Sequence, residues 1–214
     1  MLYAILIDGG FARRMLGSSE RPADSNDIRA LVKCICDAPQ LQGQHLHRIY
    51  YYDASTLVGK ETKPLGGGVL DFSNTPLASR SSEIFNTLKT EPYFAMRMGE
   101  TSFNGWRVKS NLFNTKETSV TITSDDILPN VSQKGVDMRI GMDIASLTLK
   151  KIVHTLVLVT GDSDFVPAMK FARREGANLF TVPLGHKVKD SFSEHSDLEL
   201  AISVLDVKKL VPNA

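Results

Sequence analysis

The sequence predicts an α/β domain in which a mostly parallel sheet carries helices on both faces. Two observations lead there. Short β-branched or aromatic runs alternate along the chain with stretches of helical periodicity, the pattern of parallel strands joined by crossover helices. A hydrophobic fraction of 42% against 23% charged residues, over a length of 214, suffices for one substantial core, so residues 1–214 read as a single domain and disorder is excluded.

The elements follow in order. Leu2 to Ile7 is the first strand: the run "MLYAILI" is apolar for seven residues, lacks a basic leader and runs into Asp8, which fits a buried strand better than a signal peptide. "DSNDIRALVKCICDAP" is a helix capped by Asp24 or Ser25, with Ile28, Leu31, Val32 and Ile35 on one face and Pro39 ending it. Leu46 to Tyr52 is the second strand. The stretch 56–132 breaks the rhythm and reads as an insertion or arm. It holds three glycines (Gly66 to Gly68), a helical pattern around Leu77, Ile84, Phe85 and Leu88, and a hairpin expected to pair "GWRVKS" with "TSVTIT". In that hairpin Trp106, Val108, Val120 and Ile122 share an apolar face, while Arg107 and Lys109 point the other way.

"QKGVDMRIGMDIASLTLK" is a helix from about Val136 to Lys150, with Val136, Ile140, Ile144 and Leu147 as its stripe. Thr155 to Val159 is a third strand. The next helix starts at a Ser163 or Asp164 cap, takes Pro167 in its first turn and stops at Gly176. Asn178 to Pro183 is the fourth strand. Residues 186–214 read as an amphipathic helical extension that caps the sheet or forms a homodimer contact.

Composition excludes several classes. Lys and Arg total 25 against 24 Asp and Glu, so no global basic field surrounds the chain, and phosphate binding must be local. Cys34 and Cys36 lie at i and i+2 of a helix, on nearly opposite sides, where they form neither a shared metal site nor an easy disulfide. Reduced cysteines fit the cytoplasm. No segment approaches the ~20 apolar residues of a membrane helix. The five histidines show no ligand spacing.

The chemistry converges on carboxylates. In a parallel sheet, ligands gather outside the carboxyl ends of the strands. Asp8 ends the first strand in "LIDGG", while Asp162 and Asp164 follow the third, with Gly9, Gly10 and Gly161 as companions where backbone turns tightly or lets a ligand close. Asp137, in the first turn of its helix, belongs at the same edge. Asp143 lies about 9 Å further along that axis, inside the apolar stripe, where a carboxylate must be paired, protonated or functional; Arg139 is the simple partner. Taken singly, Asp162 is a turn residue and Asp164 an N-cap; jointly with Asp8 and Asp137 they ask for a cation. Oxygen ligands without a His or Cys set suit Mg²⁺ or Mn²⁺, the ions of phosphodiester hydrolysis. Lys134, Arg107 and Lys109 are candidates for a nucleic-acid backbone, and Trp106 is placed for core packing rather than base stacking.

Together "ILIDGGF", "QKGVDMRIGMDI" and "VLVTGDSDFVP" resemble the NYN (LabA-like) family of PIN-like nuclease folds, over roughly residues 1–53 and 131–185. The resemblance implies a three-layer α/β/α domain of the PIN-like, Rossmannoid kind and a metal-dependent ribonuclease centre at Asp8, Asp137, Asp162 and Asp164, with Asp143 the second Asp of its helical motif. Thr160 and Ser163 match the small hydroxyl positions beside the last pair and join the nucleic-acid-binding set. One position departs: many members carry Asn after "DG", where this chain has Gly10 and Phe11. The expected activity is endonucleolytic cleavage of single-stranded RNA with Mg²⁺ or Mn²⁺. A catalytically weak RNA-binding or regulatory module is the alternative. A phosphatase with Asp8 as covalent nucleophile is disfavoured, because such enzymes carry a second Asp where Gly10 stands.

Overall fold

The computed structural model describes residues 1–211. In chain order the regular elements are β1 (Leu2–Asp8), α1 (Gly9–Leu16), α2 (Ser25–Cys36), β2 (His45–Ala54), β3 (Lys60–Thr62), β4 (Val69–Asp71), α3 (Pro76–Leu88) and β5 (Phe94–Val108). There follow β6 (Ile127–Lys134), α4 (Val136–Leu149), β7 (Thr155–Val159), α5 (Val166–Arg174), β8 (Asn178–Thr181), α6 (Asp190–Ser193), β9 (Leu198–Glu199) and α7 (Val204–Lys209).

Seven strands form the central sheet in the order β6-β5-β2-β1-β7-β8-β9. All neighbours run parallel except β5 and β6. The central strands are buried on both faces, and because side chains alternate along a strand, β1 sends Ile5 and Ile7 one way and Leu6 the other. Ile5, Ile7, Tyr51, Val157 and Val159 pack on one side against Phe11 of α1, Ile28 and Leu31 of α2, Ile84 of α3 and Val207 of α7. Leu6, Tyr52, Leu156 and Leu158 pack on the other against Ile140 and Ile144 of α4 and Met169 of α5. The result is the three-layer α/β/α arrangement expected of the sequence.

Two local expectations are corrected. The hairpin does not pair residues 105–110 with 118–123. Trp106 stands opposite Pro129, Arg107 opposite Leu128 and Val108 opposite Ile127, while Val120 and Ile122 remain exposed outside any strand. The physical reason is the anchoring of β5: its first residues, Phe94 to Gly99, already pair with β2, and the strand that leads directly into α4 takes the antiparallel ladder beyond them. Trp106 does pack as an apolar side chain, edge-on to Phe103 at 5.4 Å. The segment after residue 186, read as helical, contributes a strand between two short helices. Leu198 and Glu199 extend the sheet beside Phe180 and Thr181, with Leu200 buried, a period of two that helical averaging over "SDLELA" conceals. Residues 212–214 of that segment lie outside the described residues. Among the described residues, no helix is long and apolar enough to cross a membrane.

Candidate metal and nuclease centre

The carboxyl edge of the sheet is shaped by short local rules. Asp8 closes β1 and caps α1: its Oδ1 accepts from the Phe11 N–H at 3.0 Å. Thr160, just past β7 and fully buried, donates its hydroxyl to Asp8 Oδ2 at 3.1 Å and accepts from the Asp162 N–H at 3.2 Å. Asp162 Oδ1 in turn accepts from the Asp164 N–H at 2.9 Å. One hydroxyl thereby ties the loop after β7 to the end of β1. Gly9 is a steric requirement, since a Cβ there would lie 2.6 Å from both the Tyr51 ring and the Tyr52 carbonyl oxygen. Gly135, at φ 78° in the left-handed region, lets β6 turn directly into α4 and so sets Asp137 at the edge.

Asp8, Asp53 and Asp137 line one cavity of about 440 Å³, with Gly10, Gln133, Gly135, Val136 and Met138. Burial pushes the Asp8 carboxyl above the ordinary carboxylate range; the Phe11 and Thr160 donors oppose the shift, and Asp137 and Asp53 add to it. Asp137 is raised too, first by burial and then by Asp162 and Asp164. Asp137 links the two sides of this edge: it lines the cavity with Asp8 and, with Asp164, a second groove between α4 and α5. Among the described residues, no three His, Cys, Asp or Glu side chains are already gathered closely enough to surround one ion. The donor chemistry nevertheless fits Mg²⁺ or Mn²⁺, which bind through one or two carboxylates and complete their shells with water and phosphate oxygens.

Other expected residues are placed elsewhere. Asp143 does not line the cavity; its Oδ2 accepts from Tyr52 Oη at 2.8 Å and Arg97 Nε at 2.9 Å, so its partner is Arg97 across the sheet rather than Arg139 on its own helix. Thr160 is inaccessible to RNA because its side chain is buried beneath Asp8. Ser163 is half-buried between Asp162 and Asp164. Lys134 is exposed next to the cavity residues Gln133 and Gly135. Arg107 is not brought there: on β5 it stands seven positions beyond Glu100, the partner of Lys134, about 23 Å along the strand at ~3.3 Å per residue, and Lys109 is further still.

Sequence reasoning missed Asp53. It stands next to the last residue of β2, one position beyond Tyr52, the partner of Asp8, and a carboxylate at the carboxyl end of a strand was the available signal. Burial raises the Asp53 carboxyl even though Arg13, the Ala54 N–H and the Tyr51 hydroxyl oppose the shift. Arg13 Nη2 lies 3.1 and 3.0 Å from its two oxygens. Also missed was the basic groove beside Gly10, where Arg13, Arg14 and Arg80 come together from α1 and α3.

In Asp8→Asn the amide oxygen still accepts from the Phe11 N–H and the burial cost of a carboxylate disappears, but the buried Thr160 hydroxyl loses the acceptor for its proton. The two effects oppose, and the variant is expected to melt within about 2 °C of wild type at neutral pH without divalent ions. Mn²⁺ is expected to raise the melting temperature of wild type and not of Asp8→Asn, read by calorimetry with and without EDTA.

Comparison with known proteins agrees with the fold. The family model of the NYN domain matches residues 3–203, nearly the whole chain. A crystal structure of a Vibrio parahaemolyticus protein of unknown function is similar with a TM-score of 0.51 at 14% identity, covering 94% of this chain and 93% of that one. No curated protein matches.

Proposed function

The chain belongs to the NYN domain family, of the PIN-like nuclease superfamily, and from that premise we propose that it is a metal-dependent endoribonuclease acting on single-stranded RNA in the cytoplasm. The observation that carries the reading is the meeting of Asp8 and Asp137, from distant parts of the sequence, in one cavity where the charge of each opposes that of the other. Asp8 and Asp137 would hold Mg²⁺ or Mn²⁺, with Asp162 and Asp164 at the margin. When bound, the ion neutralises phosphate charge and acidifies the attacking water.

The chain's own groups supply the rest. Thr160 and the Phe11 N–H fix the Asp8 carboxylate in one orientation, so it needs no reorganisation when the substrate arrives. Asp137, exposed in the first turn of α4, lines the cavity as the second ligand, and the repulsion it feels from Asp162 and Asp164 favours a cation there. Water is the nucleophile: one P–O bond forms, one breaks, and no covalent enzyme intermediate arises.

The test is cleavage of a labelled RNA by wild type and Asp162→Asn, each with Mg²⁺, Mn²⁺ or EDTA. Activity is expected in wild type with metal and strongly reduced otherwise; equal residual cleavage in all arms would identify a contaminant and end the proposal. A second reading, an RNA-binding module with little turnover, draws on the absence of a gathered carboxylate trio among the described residues and on Gly10 in place of a polar side chain. Tight binding without product, unaffected by Asp8→Asn, would favour it.

A further inference from the structure

A second cavity, of about 290 Å³, opens beside the acidic one, between the segment after β2, the start of α3 and the β5–β6 ribbon. Its wall is mainly apolar, with Leu57, Leu70, Phe72 and Pro129. Phe72 is buried, and its ring is braced by Phe103 at 5.3 Å. Of the polar side chains there, Thr75 and Thr101 are already bonded to the backbone. The Ser55 and Thr56 hydroxyls and the Gln133 amide make no hydrogen bond within the described residues and are available to a ligand.

Two continuities say what kind of ligand. Gln133 lines both this cavity and the acidic one, so a single molecule can occupy the two. Arg13 and Leu77 form a wall shared with the basic groove, which runs past Arg14 and Arg80 to Gly10 at the acidic edge. Arg13 is engaged by Asp53 and Ser81, whereas Arg14 lies over the Phe11 ring and Arg80 is exposed, leaving both guanidinium groups to face solvent anions.

We propose that this cavity receives one nucleobase of a single-stranded RNA whose backbone crosses the arginine groove on its way to the acidic centre; the proposal rests on the nuclease reading above. Recognition of single-stranded RNA requires an apolar or aromatic wall for the base face, unspent donors and acceptors for its edge, and cations for the adjoining phosphates. All three are present side by side. The volume sits at the lower end of small-ligand sites, about 300 Å³, enough for a base and too little for a folded peptide segment. The Gln133 amide offers both a donor and an acceptor to the base edge, so the cavity confers a base preference at one position.

The test measures anisotropy of labelled octamers of A, C or U, and of a fully abasic octamer, with the full chain in EDTA so that strands stay intact. At least one base-containing octamer is expected to bind about fivefold or more tightly than the abasic strand. Leu57→Trp, which fills the slot from its half-buried wall, is expected to abolish that preference while leaving abasic affinity unchanged. Should its melting curve show that Leu57→Trp is unfolded, Val131→Trp on the exposed rim decides in its place. Equal affinity of wild type for abasic and base-containing strands, or a preference that survives the folded variant, overturns the proposal. Cleavage of the same octamers by wild type with Mn²⁺ scores the nuclease reading separately: cleavage without base preference removes the base pocket alone, and absence of both binding and cleavage removes both.

Discussion

Asp137→Asn is expected to lower metal-dependent RNA cleavage by about 10²–10³-fold while changing the melting temperature by no more than about 2 °C. Asp137 is exposed in the first turn of α4, makes no side-chain hydrogen bond within the described residues, and is destabilised in its charged form by burial and by Asp162 and Asp164. Its neutral isostere relieves that repulsion and forgoes a favourable helix-dipole contact of about 0.3–1 kcal/mol, so the two effects on stability largely offset. Asp143→Asn is the matched comparison on the same helix. Its carboxylate accepts from Tyr52 and Arg97, so the variant is expected to lose stability and to change cleavage less than about tenfold. Single-turnover rates and melting curves for the two variants separate the roles. Equal losses of rate at both positions would mean that the two carboxylates of α4 act together and that the site extends beyond the cavity lined by Asp8 and Asp137.

Legibility from sequence divided along a physical line. Strands β1 and β7 were readable because they are buried on both faces and so are almost purely apolar, and β2 because its buried half, Ile49 to Tyr52, is aliphatic and aromatic. The position of Asp8 and Asp137 beside one cavity was readable because topology sends strand ends and helix starts to one edge of the sheet. Partners set by lateral strand order were not: Arg97 reaches Asp143 only because β5 lies next to β2, a neighbour relation no local pattern encodes. Helix α1 escaped for a related reason. It opens on two glycines, which favour no helix, and forms because Asp8 caps it and Phe11, Ala12 and Leu16 bury against the sheet. The hairpin register failed because Val120 and Ile122 have the alternation of a strand without a partner, and alternation is silent about pairing.

Asp27→Ala is expected to cost about 2–4 kcal/mol, the largest stability loss predicted for a polar residue in this chain. Asp27 is fully buried in α2 and accepts from Arg21, from Lys208 Nζ at 2.7 Å and from the Asp24 N–H at 2.9 Å, which closes the capping box of α2. Lys208 belongs to α7, so this carboxylate fastens the end of the described chain to the second helix. Breaking a buried pair by removing one partner costs about 3–5 kcal/mol, and the loss here is smaller because the Arg21 and Lys208 side chains, 38% and 24% exposed, can turn to water. Burial alone would raise the Asp27 carboxyl, but Lys208, the Asp24 N–H and Arg21 outweigh it and hold it below the usual range. The sign follows: the stabilisation is complete above the unfolded value of about 3.9 and is lost as pH falls through the lowered folded value. Urea midpoints of wild type and Asp27→Ala should therefore lie far apart at neutral pH and converge in acid, with α7 amides exchanging fastest in the variant. A gap that persists undiminished in acid would show that Asp27 acts through packing rather than charge, and unchanged exchange in α7 would show that the helix is held by Val207 and its apolar neighbours alone.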